Sequence, residues 1–348
     1  VPDDSTTHHD EGEASARRRH VFRTILAPWV RLAVLGLAGA IIIGHLGDVW
    51  SPLDLAAHFQ VQYLTAAALG VALCLLLRCR RWAIVAGLCL IATAWQVLPW
   101  YLPSDSVTAA RAAGSGGPKI RLLLANVRTS NRRHEEVIAL IDRWKPDVVV
   151  LQEVNARWLE AMEPIKRQLP HAVTAPRADN FGVAVYSRRP LEDARIAHLG
   201  PAEVDSIIGV LNVGGAGATL VASHPVPPIG PRNARLRDAQ LDAIADTVMQ
   251  MRGPVLVVGD LNATMWSAPF RRLVADTGLG NARQGFGVLP SWPAVLPAFA
   301  RIPIDQCLCS ADIEVVNCAL GEPTGSDHLP LIVDVVLPPP SDDDPSGP

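Results

Sequence analysis

The sequence predicts an α/β fold, in which packed β-sheets flanked by helices follow three membrane-spanning helices. Two observations predict it. Residues 32–102 hold three successive apolar runs, each of about 19 to 21 residues, long enough to cross a hydrocarbon core of roughly 30 Å as helix. Residues 119–337 then alternate short β-type runs with amphipathic helical ones, the pattern of sheets covered by helices. The composition agrees. Of 348 residues 49% are hydrophobic and only 19% are charged, and the mean hydropathy is +0.21. That excludes a disordered chain and a chain soluble throughout. Six cysteines in this length make no disulfide scaffold. A net charge of −3 gives no sign of a bulk nucleic-acid binder.

Residues 1–23 form a polar tail that starts acidic (Asp3, Asp4, Asp10, Glu11, Glu13) and then carries Arg17, Arg18, Arg19 and His20. Residues 24–102 form the membrane domain, with apolar runs at 32–50, 59–77 and 82–102. The second and third runs contain no Asp, Glu, Lys or Arg. The first is too long for the core of a cleaved signal peptide, and no small-residue cleavage site precedes the second. Arg17, Arg18, Arg19, Arg23 and Arg31 precede the first span, and Arg78, Arg80 and Arg81 fill the turn between the second and third. The loop at 48–58 has Asp48 and Asp54 and no Lys or Arg. The positive-inside rule therefore puts the N-terminus and the 78–81 turn in the cytoplasm and everything after residue 102 outside it. Trp50, Trp82, Trp95, Trp100 and Tyr101 stand near the span ends, as an aromatic belt does. Residues 103–118, ending in Gly114, Ser115, Gly116, Gly117 and Pro118, read as a flexible tether. Residues 338–348, rich in Pro and Asp, read as a disordered tail.

Between tether and tail lie residues 119–337, enough to bury a full core. Strands are expected at 120–125, 148–151, 182–187, 207–213, 219–223, 255–258, 313–316 and 331–336. Helices are expected at 135–144, where Val137, Ile138, Leu140 and Ile141 share a face, and at 233–251. Polar residues stand at the ends of these runs. Asn126 follows the first, Glu153 the second and His224 the run at 219–223. Asp260 and Asn262 follow 255–258, Asp305 follows Ile304, and Asp327 and His328 precede the last strand. Loops at strand ends on a rigid sheet are where catalytic groups collect. Each residue has a plainer role alone, as turn, cap or surface pair, but the ordered series points to chemistry. Carboxylates, amides and imidazoles without Cys or His pairs at zinc spacing suit a hard cation, Mg²⁺ or Mn²⁺.

The segments that carry these residues are Leu124-Ala125-Asn126-Val127, Leu151-Gln152-Glu153-Val154, Ser223-His224-Pro225, Gly259-Asp260-Leu261-Asn262, Ile304-Asp305 and Gly325-Ser326-Asp327-His328-Leu329-Pro330. In this order they resemble the endonuclease/exonuclease/phosphatase superfamily across residues 119–337. The resemblance implies a four-layer α/β sandwich of two packed mixed sheets with outer helices. It also implies roles. Glu153 would be the principal metal ligand, with Asn126 beside it and Asp327 assisting. Asp260 would orient or deprotonate the attacking water, and Asn262 would hold the phosphate or water in line. His328 would donate to the scissile phosphate with Asp305 orienting its ring, and His224 would bind the pentacovalent transition state. Two features depart from the family. Gln306 follows Asp305, where members often have an aromatic residue or His. No clear counterpart is found for the Tyr that nuclease members use near the leaving group, since Tyr186 lies inside a β run and reads as core.

The expected substrate is a phosphoester. Residues 119–337 hold 22 Lys and Arg against 23 Asp and Glu, a net of −1, which does not favour nucleic acid. Arg128, Arg132 and Arg133, and Arg232, Arg235 and Arg237, are candidates to frame a phosphate. An outward-facing domain held by three helices would meet lipid phosphates, exported nucleotides or extracellular nucleic acid. The three-span arrangement resembles the teicoplanin-resistance-associated membrane proteins of this superfamily, which implies a prenyl phosphate or other envelope lipid. The alternatives are an extracytoplasmic nuclease and a non-catalytic membrane-tethered sensor. Cys307, Cys309 and Cys318 lie where oxidation is permitted. Strands at 304–309 and 313–318, paired as a hairpin, would bring Cys318 near Cys307 or Cys309; buried free thiols are the other reading.

Overall fold

The computed structural model describes residues 5–103 and 116–339, with side chains from residue 23 onward. Most of the expected tether and tail lie outside the described residues. The first described element is one long helix, α1 (Ser5–Gly44), which joins the polar segment to the first apolar run and ends within that run, at Gly44 rather than near Trp50. A 3₁₀ helix (Ser51–Phe59) leads into α2 (Gln60–Leu76). After a turn with Arg78 at φ 55°, α3 (Arg80–Val97) runs back and ends in a short 3₁₀ turn (Leu98–Tyr101). Three helical segments are long and apolar enough to cross a membrane: Arg23–Gly44, Ser51–Leu76 and Arg80–Tyr101. They meet through small side chains. Ala67, Cys74 and Ala86 are fully buried, and the α-carbon of Gly70 faces Val34 and Ala86. Close approach of this kind is how helices associate where lipid offers no hydrophobic drive. Their outer surface is apolar: Trp29, Leu35, Ile42, Leu69, Ile84, Ile91 and Trp95 are all exposed. Only 17–22% of each span is buried, so the bundle shows its hydrophobic side outward, as lipid requires.

The remaining chain folds as two six-stranded sheets. Its strands are β1 (Lys119–Asn126), β2 (Val148–Gln152), β3 (His171–Ala175), β4 (Val183–Ser187), β5 (Leu191–His198), β6 (Asp205–Val213), β7 (Ala216–Ala222), β8 (Val255–Asp260), β9 (Gly280–Asn281), β10 (Asp305–Cys309), β11 (Glu314–Leu320) and β12 (Leu331–Val336). The helices are α4 (His134–Trp144), α5 (Ala156–Ala161), α6 (Gly230–Met249) and α7 (Ala268–Thr277). One sheet has the order β11-β12-β1-β2-β4-β3 and the other β5-β6-β7-β8-β10-β9. Both are mixed, with β1 parallel to β2 and β7 parallel to β8 among antiparallel neighbours.

Alternation along the strands builds the layers. Ile120, Leu122 and Leu124 face the space between the sheets, where they meet Val148, Val150, Ile207, Leu220, Leu256 and Val258. The intervening Leu123, Ala125, Val149 and Leu151 pack under α4 (Val137, Leu140, Ile141) and Trp158 of α5. On the other sheet, Ile208, Val221 and Val257 pack under α6 (Leu241, Ile244, Val248) and α7 (Phe270, Leu273). The result is a four-layer α/β sandwich. The central strands read as unbroken apolar runs because both of their faces are buried.

This sandwich is docked on the helices. Val97 joins the core under α6 and α7, and Trp100 packs against it. The Trp266 indole donates to the carbonyl of Gln96 at 2.9 Å, and the amides of Gly285 and Gly287 donate to that of Trp100 at 3.0 and 2.9 Å. Gly287 is required there. Its φ is 96°, and a Cβ would lie 2.7 Å from the Tyr101 ring. Asp48 pairs with Arg271 and Arg272 at 3.4 and 3.0 Å.

One expectation fails. β10 and β11 form no hairpin, because β10 pairs with β8 and β9 in one sheet and β11 pairs with β12 in the other. Residues 310–313 carry the chain between the sheets. All six cysteines are free, and the Cys307 and Cys309 sulfurs are 3.9 Å apart. Burial pushes the Cys318 thiol up to about 12, where it is an inert core group.

Candidate active site

The strand ends that converge at one edge of the sandwich bring the polar residues together. Asn126 ends β1, and its amide nitrogen donates to Glu153 Oε1 at 3.0 Å and to Asp260 Oδ2 at 3.2 Å. Glu153 sits just beyond β2 at φ 61°, a left-handed conformation uncommon for a side chain with a Cβ. Thr129 holds it there, donating from its amide to Glu153 Oε2 at 3.3 Å and from its hydroxyl to the Glu153 carbonyl at 2.9 Å. Asp260 ends β8. Its Oδ1 accepts from the Asn262 amide at 3.0 Å, in the Asx turn that its spacing suggests. Asn262 takes φ 49°, which Asn tolerates, and its side chain donates to the Pro225 carbonyl at 2.9 Å.

Asp260 and Asp305 are direct partners across the β8–β10 ladder, two carboxylates face to face. Such a pair is repulsive unless a cation intervenes. His328 does so. Its Nδ1 lies 3.0 Å from Asp305 Oδ2 and its Nε2 3.6 Å from Asp260 Oδ2. Burial alone would disfavour the charged ring, but Asp305 and then Asp260 outweigh it and push the His328 pKa up to about 10. For Asp260, burial would raise the carboxyl, and His328 and His224 outweigh it and hold it below its ordinary range. His224 follows β7 with Nε2 3.4 Å from Asp260 Oδ2, and its buried Nδ1 has no hydrogen-bond partner among the described residues.

All eight residues singled out in the sequence therefore fall in one place. Glu153, His224, Asp260, Asn262, Asp327 and His328 line a cleft of about 500 Å³. Asn126 and Asp305 stand buried behind them. Asp327 is at the rim, where Trp292 Nε1 reaches its Oδ2 at 3.4 Å and Arg128 Nε its Oδ1 at 3.9 Å. The walls are apolar and include Phe181, Ile229, Trp292 and Ile302, together with Leu55 and Phe59 from the 3₁₀ helix between the first two spans.

Several contributors escaped the sequence reading. Gln152, fully buried, donates to the Ser223 carbonyl at 2.8 Å and accepts from the Asp260 amide at 2.7 Å, tying one sheet to the other beneath the cleft. Gly259 makes room for it. A Cβ there would lie 1.9 Å from the Ser223 oxygen and 2.7 Å from Gln152 Nε2, which explains the glycine of the Gly259-Asp260 pair. Ser326 donates to the Asn126 carbonyl at 2.7 Å and accepts from the His328 amide at 3.1 Å. Their signal was adjacency to a named residue and nothing more. Gln306 is buried and spans three loops, donating to Ala263 and Pro303 and accepting from Asn281. Tyr186 is core, with burial pushing its pKa up to about 12.

Arg237 departs from expectation. It frames no phosphate, because it is fully buried and paired with Asp54 (2.8 Å) and Asp238 (2.7 Å). Asp54, on the 3₁₀ helix, also accepts from Ser267 Oγ and from the amide of Ala268 in the first turn of α7, both at 2.7 Å. Arg237 then donates to the Asn262 carbonyl at 2.8 Å. His58 meets the Thr264 hydroxyl at 3.0 Å. The 3₁₀ helix at Ser51–Phe59 is thus hydrogen-bonded into the loop that carries Asn262.

Asp260, Asp305 and His328 bring three potential ligand atoms within 4.8 Å of one another. A ring kept protonated between two carboxylates is a donor, not a ligand. The groups left to face a cation are the oxygens of the Glu153 and Asp327 carboxylates, with Asn126 behind them turning its amide nitrogen to Glu153 and its oxygen to the Arg128 amide at 3.1 Å. This donor set fits a hard divalent ion.

The sequence model described as Endonuclease/Exonuclease/phosphatase family matches residues 121–328. A search of curated protein sequences returns no match. Among solved structures, an endonuclease/exonuclease/phosphatase from Bacteroides vulgatus is 18% identical with a TM-score of 0.53, over 63% of this chain and 99% of that one. One from Beutenbergia cavernae is 18% identical with a TM-score of 0.51, over 63% and 72%. A humanized D. rerio TDP2 is 16% identical with a TM-score of 0.52, over 62% and 98%. These likenesses cover the two-sheet domain and show its fold.

Proposed function

Because the chain belongs to the endonuclease/exonuclease/phosphatase family, we propose that it hydrolyses a phosphoester with the help of Mg²⁺ or Mn²⁺, and that the substrate is a membrane amphiphile with a phosphate headgroup. One observation carries the substrate class. The cleft that holds Glu153, Asp260 and His328 is walled by apolar side chains, two of them, Leu55 and Phe59, from the 3₁₀ helix that leads into α2. A headgroup fits the polar floor and the start of an apolar chain fits the walls. Nucleic acid is disfavoured by the net charge of −1 over residues 119–337 (22 basic against 23 acidic) and by the burial of Arg237.

The geometry supports the following roles. Glu153 would hold the metal ion, with Asn126 beside it and Asp327 assisting. When bound, that ion polarises a phosphoryl oxygen and neutralises charge on the leaving oxygen. Asp260, kept ionised by His328 and His224, orients the attacking water and takes its proton. Asn262 holds the water or phosphate in line. His328, kept protonated by Asp305, donates to a phosphoryl oxygen, and His224 supports the transition-state charge from the other side of Asp260. Positioning and charge neutralisation do most of the work in phosphoryl transfer, so no nucleophilic Ser or Cys is needed. The reaction takes place outside the cytoplasm, on the side that the Arg distribution assigns to the domain.

The test is turnover by the full chain in mixed micelles, with and without Mg²⁺. The substrates are p-nitrophenyl phosphate, bis-p-nitrophenyl phosphate, a prenyl phosphate, a glycerophospholipid and single-stranded DNA. A lipid substrate should give the highest kcat/KM. A preference for DNA would replace the amphiphile with nucleic acid, and no metal-dependent turnover of any substrate would leave the sensor reading.

A further inference from the structure

One stretch of the outer domain has the surface of a membrane protein. Residues 293–300 read PAVLPAFA, eight residues with no charge and no polar side chain. Val295 is 86% exposed, Phe299 62% and Leu296 40%. Elsewhere in the domain, among the described residues, large apolar side chains are this exposed only at Ile196, Ile229 and Met249. The stretch is also held in shape. Arg301 folds back on it, donating from Nε to the Leu296 carbonyl at 2.6 Å and from a terminal nitrogen to that of Ala294 at 2.8 Å. The amides of Leu296 and Ala300 close turns on Pro293 and Pro297. A loop fixed with three apolar side chains outward marks a surface that something apolar covers.

Its place in the fold identifies the cover. Gln62, in the first turn of α2, donates to the Arg301 carbonyl at 2.8 Å, and residues 298–300 pack against α2. The 17 residues of α2 extend about 25 Å at 1.5 Å per residue, most of a hydrocarbon core of roughly 30 Å. The 3₁₀ part of the Ser51–Leu76 segment is docked on the sandwich through Asp54 and His58, which puts the start of the core near Gln60, and the loop stands beside α2 at that depth. Trp292 and Arg301 flank it, residue types that seat at the headgroup level. Leu55, Phe59 and Ile229 line the cleft at this same end of the bundle.

We infer that residues 293–300 are a wedge that enters the leaflet on the catalytic side of the bilayer and seats the mouth of the cleft against lipid, so that an amphiphilic phosphoester reaches the site laterally. The wedge is joined to the site. The Ala294 amide donates to the Asp327 carbonyl at 2.7 Å, and Trp292 reaches the Asp327 carboxylate. The depth of the loop thus sets the height of the cleft above the hydrocarbon. The inference rests on the membrane-embedded, lipid-directed reading given above.

The experiment reads depth rather than activity, so the two fail separately. The full chain is reconstituted in phosphatidylcholine vesicles as single variants Val295→Cys, Phe299→Cys, Ile42→Cys within the first span, and Glu160→Cys on α5. Each is spin-labelled at its added thiol and corrected for the signal of the parent, whose six cysteines are buried. Collisions with oxygen and with a water-soluble nickel chelate are then compared. Labels at 295 and 299 should lose nickel collisions relative to 160 and gain oxygen collisions toward the values at 42. If 295 and 299 behave like 160 while 42 behaves as lipid-embedded, the wedge is wrong and the spans stand. If 42 is also aqueous, the membrane reading falls and takes the wedge with it.

Discussion

At the scale of single residues, the site depends on one carboxylate turned toward the cleft and one imidazole fixed between two others. Glu153→Ala should abolish metal-dependent turnover of bis-p-nitrophenyl phosphate, because the cation loses its principal anionic ligand. His328→Ala should lower kcat by about 10²–10³, the scale of one transition-state donor. Asp305→Asn should cost less, since it misorients and partly discharges the ring without removing it. The ranking is the test: turnover by folded Glu153→Ala equal to that of the parent would refute the proposed site. The eight named residues were legible because each stands at or beside one end of a β run in one ordered series of short motifs. Gln152 and Ser326 were not. Their work is done through main-chain groups distant in sequence: the stacking of the two sheets brings Ser223 and Asp260 to Gln152, and the pairing of β12 with β1 brings Asn126 to Ser326. The Asp54–Arg237 pair was illegible because its members are 183 residues apart, one on the 3₁₀ helix before α2 and one on α6 of the sandwich.

Elements were legible where burial imposes a pattern. β1, β2 and β8 are buried on both faces and read as apolar runs, and α4 has a clear apolar stripe. β5 is an edge strand with exposed residues at most positions, and β3 is a short edge strand, so neither carried a signal. The register of β1 on β12 places Arg121 opposite Asp334, and the guanidinium meets the carboxylate at 2.6 and 2.9 Å. Burial would raise the Asp334 carboxyl, but Arg121 and then Lys119 outweigh it and hold it below its ordinary range. A carboxylate with a depressed folded-state pKa stabilises the fold above its unfolded value of about 3.9, and the contribution fades as pH falls through the folded value. Asp334→Asn should therefore cost about 1.5–3 kcal/mol at pH 7. The Tm gap between parent and variant should close below about pH 4. A gap unchanged from pH 7 to pH 3 would rule out the ionised pair. The 3₁₀ helix at Ser51–Phe59 offers a second test. Asp54→Ala leaves the fully buried Arg237 guanidinium with one of its two carboxylates and unpairs Ser267 Oγ and the Ala268 amide, and should cost about 3–5 kcal/mol. Its Tm loss should greatly exceed that of Asp48→Ala, whose partners Arg271 and Arg272 are exposed.

At the scale of the molecule, the helices have two unlike ends. One carries the turn with Arg78, Arg80 and Arg81. The other carries the 3₁₀ helix at Ser51–Phe59 and the turn at Leu98–Tyr101, and on this end the sandwich is docked through Asp54, Gln96 and Trp100. The geometry thus ties the side of the catalytic cleft to the side opposite the Arg-rich turn. In the proposed topology charge decides which side that is, since clustered Arg resists translocation while a short loop bearing only Asp48 and Asp54 does not. A reporter that fluoresces only when it folds in the cytoplasm, fused after residue 337 of the full chain, should stay dark, and one inserted in the 78–81 turn should be bright. Replacing Arg78, Arg80 and Arg81 with Ala should weaken this difference, because part of the charge that retains the turn is gone. A bright fusion after residue 337 in the parent would invert the orientation. It would place the cleft against the cytoplasmic leaflet, with the docking of sandwich on helices unchanged.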